Sequence, residues 1–275
     1  MGLNSDIKNA IKIINNEEDN KVYKKVKIFP SFSLKHFKKY KLNNRQVLSK
    51  VNSIDEIFEL LSYNSIVTCY STNKLDEYFL NLLLTMHNID RKKYLDFILY
   101  DYGKFNRILS KKYYDIIRNE LDENTKYFFD TLYDYCIQNK KSMANLIERQ
   151  PLKKEELEIF IKSYLSKSYN NINENKRVTY FNHSGKEIIN IFEKETFDFI
   201  NLSYNIEGVS DKRFNVLKDR EKKYINLLKE NAQMQSFVSR SIKDIEGYKI
   251  LKTRSMLDKN NEELEDYAYV YRKSQ

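Results

Sequence analysis

Tryptophan is absent, and the 275 residues include only two prolines, five glycines and two cysteines. The scarcity of glycine and proline excludes collagen-like or Pro/Gly-rich disordered chains, and five isolated glycines make no Gly-rich phosphate loop. Two cysteines cannot form a disulfide scaffold. Cys69 and Cys136 lie in apolar runs, which predicts buried, reduced thiols in a cytoplasmic protein. With only His36, His87 and His183 beside those distant cysteines, no zinc-ligand spacing occurs, and neither a metal nor a cofactor is expected. No apolar run nears the ~18 residues of a membrane span, and the acidic, amide-rich start differs from an export signal. Alanine is scarce too. Four Ala against 37 Lys and abundant Asn, Ile and Tyr fit an AT-rich genome, so composition explains part of the basic excess.

What is plentiful is aromatic and basic. With 22 Tyr, 16 Phe and 41% hydrophobic residues, the chain can bury a sizeable core. Its net charge of +9 is concentrated: residues 21–50 hold ten cations and no Asp or Glu, leaving the other 245 residues near neutrality. Codon usage acts along a whole gene and cannot place the excess in one ninth of it. Lys24, Lys25, Lys27, Lys35, Lys38, Lys39, Lys41 and Arg45 alternate here with rings such as Tyr40, as phosphate-tracking surfaces with stacking rings do. Lys rather than Arg dominates, which favours non-specific phosphate contact. The expectation is an intracellular DNA- or RNA-binding protein, of a plasmid, phage or defence system.

Periodicity predicts an α+β fold, predominantly α-helical with a small β component. An N-terminal domain spans 1–169 and a C-terminal α+β region 177–275. Val22 to Phe29 reads as a strand, 34–41 as an amphipathic basic helix, and Ser53-Ile54-Asp55-Glu56 as a capping box opening a helix to Leu61. Ile66–Tyr70, an apolar helix through Met86 and Phe97–Tyr100 compose a βαβ unit at 66–100. Mostly helical pattern follows from 110 to 168. Strands are predicted at 177–181, 248–253 and 267–271, and a long charged helix at 211–246 offers a surface to a protein partner.

Two stretches resemble enzyme families. Residues 65–103, with the strand-helix-strand ending at Asp101, resemble the opening of a GT-A glycosyltransferase; that resemblance implies a nucleotide-sugar transferase with Asp101 holding the nucleotide, although no Asp-x-Asp motif follows. Arg177-Val178-Thr179-Tyr180-Phe181-Asn182-His183 resembles the arginine-to-histidine motif of HEPN ribonucleases, which implies that Arg177 and His183 act on a scissile phosphate.

Overall fold

The computed structural model describes residues 2–17, 22–98, 108–148, 177–254 and 265–274. The chain forms two compact units, one of Met1–Phe29 with Thr72–Ser166 and one of Pro30–Ser71 with Lys167–Gln275. The chain passes between the units three times, after Phe29, Ser71 and Ser166, so residues 30–71 group with the C-terminal part and not with their sequence neighbours.

The first unit is helical: α1 (Leu3–Ile14), α3 (Leu75–Ile89), α4 (Arg91–Ile98), α5 (Lys111–Ile117) and α6 (Glu123–Gln138). Its apolar faces bury Ile13, Phe79, Leu83, Phe128 and Phe129. Asp6 is also buried, and it is satisfied three ways: the Tyr23 and Tyr78 hydroxyls donate to it at 2.5 and 2.9 Å, and Lys74 Nζ stands 3.4 Å away. A buried carboxylate without such partners would be costly.

The second unit is built on a seven-stranded sheet in the order β3-β2-β1-β4-β5-β7-β6. Its strands are β1 (Gln46–Lys50), β2 (Ile66–Tyr70), β3 (Val178–Phe181), β4 (Phe197–Asn205), β5 (Leu228–Ser239), β6 (Lys249–Arg254) and β7 (Glu265–Arg272). The first five run parallel, and β7 pairs antiparallel with both β5 and β6. On one face, Leu48, Ile200, Leu202 and Met234 pack with Ile188 of the one-turn helix α7 (Gly185–Ile188) and with Tyr224 and Leu227. Further along, Phe214 and Leu217 of α8 (Asp211–Lys222) lie against Phe237 and Tyr269. The other face receives Phe37 and Tyr40, whose rings sit 6.3 and 4.6 Å from that of Phe199. α2 (Ile54–Ser62) follows β1 and is buried from Ile54 to Leu61.

This mixed sheet corrects the expected predominantly helical class with a small β component; the fold is α/β. Phe97 and Ile98 end α4 instead of forming a strand, so the expected βαβ unit at 66–100 is absent as such, and residues 99–100 lie outside the described set. The long helix expected over 211–246 stops at Lys222. Residues 228–239 pair with β4 on one side and β7 on the other, and those ladders outweigh local helical preference. Segment 34–41 holds a 3-10 helix at Lys35–Lys39, not an α-helix, and 22–29 contributes one isolated bridge, Val26 with Ile147. The helix expected at 152–168 lies outside the described residues. Both cysteines are free and buried. No described helix is long and apolar enough to cross a membrane.

His36, in that 3-10 helix, is 2% exposed, and its Nε2 has no hydrogen-bond partner. Burial first, and then the charge of Lys39, hold the imidazole down to about 3 against a backbone hydrogen bond with Ser33 that opposes both. A folded value below the ordinary one near 6.5 means that the unfolded chain binds the proton first. The resulting stability is complete above pH 6.5 and is lost as the pH falls from there towards 3. Urea unfolding between pH 7 and 5 should show stability falling by up to about 1.4 kcal/mol per pH unit from this group, and His36→Gln should flatten the slope. Equal slopes in both proteins would contradict the assignment.

Candidate nucleic-acid interface

In an open α/β sheet, ligands sit outside the carboxyl ends of the strands where the strand order reverses, here between β1 and β4. The turn leaving β1 is Val51-Asn52-Ser53 and contains no glycine. Ser53 caps α2 by accepting the Glu56 N–H, but Glu56 does not return to the Ser53 backbone as a capping box requires. Its carboxyl instead accepts from Asn52 Nδ2 at 3.1 Å, and Asn52 also donates to the Leu202 carbonyl at 3.2 Å. Burial raises the Glu56 pKa, and hydrogen bonds from Asn201 and Asn52 together with the charge of Lys50 counter that rise. Lys50 Nζ donates to Asn52 Oδ1 at 2.8 Å and lies 5.2 Å from the Tyr204 ring centre.

At the end of β2, where a dinucleotide site would place a carboxylate for ribose hydroxyls, stands Tyr70. Its hydroxyl lies 2.7 Å from that of Tyr224. Gly185 lets this pair approach, since a Cβ there would run into the Tyr224 hydroxyl. Among the described residues this crevice therefore offers Lys50 and several amides, with neither a glycine turn after β1 to admit a pyrophosphate nor an acid at the end of β2 to read a ribose.

The predicted basic segment is divided between the units. Lys24, Lys25 and Lys27 flank the Val26 bridge in the first unit. Lys35, Lys38, Lys39, Lys41 and Arg45 belong to the second, and all five are exposed. The rings between them are not exposed. Tyr23, Phe29, Phe37 and Tyr40 are 4%, 8%, 0% and 6% accessible, so these four are core, with Lys25 and Lys27 half-buried beside them and Lys24, Lys35, Lys38, Lys39 and Lys41 facing solvent. Tyr40 does more than fill space, because its hydroxyl donates to Gln235 Oε1 at 2.9 Å. Gln235 Nε2 in turn donates to Ser203 Oγ, Ser203 Oγ to Asn201 Oδ1 at 2.6 Å, and Asn201 Nδ2 to Ser49 Oγ at 3.0 Å. This chain of buried groups ties the basic segment to β5, β4 and β1.

At the opposite, amino-terminal edge of β1, β4 and β5 a cleft of about 420 Å³ opens, with Tyr40 and Phe199 in its floor. Lys39, Lys41, Arg45 and Arg272 line it against the carboxylates of Asp198 and Glu230. Asp198 is already engaged by Arg45 at 3.4 Å, Lys229 at 3.2 Å and the Gln46 N–H at 2.9 Å. Lys39 Nζ donates to the Lys252 carbonyl at 3.0 Å. Among the described residues, Lys41 and Arg272 have no ion-pair partner. Arg272 was not legible as a site residue, because only the antiparallel pairing of Arg272 with Gln233 brings it beside the basic segment.

The remaining candidates lie elsewhere in the chain. Arg177 and His183 flank β3, a strand of four residues after which the His183 N–H turns back to the Phe181 carbonyl at 2.9 Å. Arg177 reaches the Asn64 carbonyl at 3.4 Å, and His183 stacks 6.1 Å from Phe181. Asp101 lies outside the described residues. No group of three or more His, Cys, Asp or Glu suited to a metal ion occurs among the described residues. No family model matches the chain, and no curated protein matches it.

Because Tyr40 is bonded inward, Tyr40→Phe should act on stability. Leaving Gln235 Oε1 without its donor should cost about 1–3 kcal/mol in chemical unfolding. An unfolding curve superimposable on wild type would show that the bond contributes nothing.

Proposed function

We propose that the protein binds nucleic acid through the exposed cations of residues 35–45. The observation that carries this reading is that Lys35, Lys38, Lys39 and Lys41 all face solvent on a segment whose rings are anchored in the core, with no carboxylate between residues 21 and 50. Anchoring keeps the charges in a fixed array, so little chain entropy is lost when phosphates bind. Lysines act here as point charges, and the contact is to the phosphate backbone and not to base edges. The buried, free thiols agree with an intracellular setting.

Changing Lys35, Lys38 and Lys39 together to Gln should weaken binding to DNA or RNA alike, whatever the sequence. The slope of log affinity against log salt should fall by about 2–3, at roughly 0.7–0.9 per lost phosphate contact. Unfolding should barely change, as exposed cations contribute little to stability. A variant with wild-type affinity and slope would remove this reading.

A second reading rests on the strand order. Five parallel strands in the order 3-2-1-4-5, followed by a reversed seventh strand ahead of the sixth, is the arrangement shared by S-adenosylmethionine-dependent methyltransferases. That likeness is one of topology, and topology alone does not carry function. The crevice residues fit such a nucleoside ligand poorly, for the reasons of glycine and acid given above, while Lys50, bonded to Asn52, places a cation at its edge. Calorimetric titration with S-adenosylmethionine and adenosine decides it: saturable heat that disappears in Lys50→Ala supports the reading, and no heat at millimolar ligand removes it. The crevice and the basic cleft lie on opposite edges of one sheet, so the two titrations report separately.

A further inference from the structure

We propose that the cleft at the amino-terminal edge of β4 and β5 seats one nucleotide of a single strand, with Lys41 and Arg272 meeting its phosphate. The inference rests on the nucleic-acid reading above and specifies the class of polymer and two of its contacts. Three observations lead to it. The cleft, at about 420 Å³, lies in the range of small-ligand sites, room for a nucleotide and not for a duplex. Its lining is mixed, charged and amide groups standing over Tyr40 and Phe199, which are 6% and 2% accessible.

Its charges are also sorted. Asp198 is held between Arg45 and Lys229, and Lys39 makes one exposed contact, to the Lys252 carbonyl, which leaves its charge unneutralised. Lys41 and Arg272 line the same cleft, are exposed, and have no ion-pair partner among the described residues. Two uncommitted cations in a cleft of mixed polar and apolar lining suit an anionic group joined to a flat, partly apolar one, as a nucleotide is. Gln233 and Asn231 add amides that can both donate and accept at a base edge. A duplex keeps its bases stacked inside and presents no free nucleotide. A single strand can splay one out, which selects the single-stranded form.

The test is fluorescence anisotropy with the full chain and a labelled eight-nucleotide single strand, as RNA and as DNA, beside a duplex of the same sequence. Arg272→Gln and Lys41→Gln are compared with wild type and with Lys212→Gln, an exposed cation on α8 away from the cleft. The expected result is tighter binding of single strand than duplex. Each cleft variant should weaken binding about threefold to tenfold and reduce the salt slope by about 0.7, with Lys212→Gln near wild type and all thermal unfolding curves alike. Binding that depends on Lys35, Lys38 and Lys39 but not on Lys41 or Arg272 would overturn the cleft assignment and leave the broader reading standing. Equal affinity for the duplex would also overturn it. No binding of any strand at low salt would remove both.

Discussion

The second unit depends on a buried run of polar side chains crossing three strands. Tyr40, Gln235, Ser203, Asn201 and Ser49 each have a partner within the run, and Glu56 joins it from α2 through Asn201, Asn52 and Ser203. A half-satisfied network of this kind would cost more than an apolar core, since each orphaned buried group forfeits its hydration without return. Because every link specifies a partner, the run sets how β1, β4 and β5 align and where the segment before β1 lies on their face. The fixed position of the basic residues is a consequence of that alignment. Glu56 adds a counterweight. Its raised pKa makes the folded state bind a proton more readily than the unfolded chain, so its contribution to stability falls as the pH rises through its folded value, the reverse of the trend set by His36.

The same sheet presents two edges of different chemistry. At the carboxyl ends, amides and hydroxyls are bonded to one another: Lys50 to Asn52, Asn52 to Glu56, Tyr70 to Tyr224. At the amino ends the charges are only partly paired, and the excess is positive. An α/β sheet ordinarily concentrates ligand binding at its carboxyl edge. In this chain the unspent electrostatic potential lies at the other edge, and potential of that kind raises the local concentration of a polyanion and speeds its arrival. The first unit brings its own cations, Lys24, Lys25 and Lys27, on a short bridged segment between α1 and α3. Their surroundings differ, since Val26 is held from both sides by the backbone of Leu146 and Glu148.

How much of this was legible in the sequence depends on where each element finds its partners. β2 was readable as Ile66–Tyr70 because its run is continuously apolar and both its neighbours are strands. β1 was not readable, because Ser49 and Lys50 interrupt so short a run, and what buries Ser49 is Asn201, 152 residues away. β5 hid inside a charged stretch, where Lys229 and Glu230 belong to the rim of the sheet and Ala232, Met234 and Phe237 to its core. The basic residues were legible as charge, since charge density survives any fold. The role of their aromatic neighbours was not, for the same Lys-aromatic alternation serves a stacking surface or a buried face, and only the contact with Phe199 tells which. Arg272 carried no local signal at all.

Hydrogen exchange of the full chain, with and without a single-stranded oligonucleotide at low salt, tests the central claim most directly, because it reads both edges of the sheet at once. The account predicts slowed exchange over residues 35–45, 230–233 and the end of β7, with the turn at 51–53 unchanged. Protection confined to 50–56 and the carboxyl end of β4, or no protection anywhere, would contradict it.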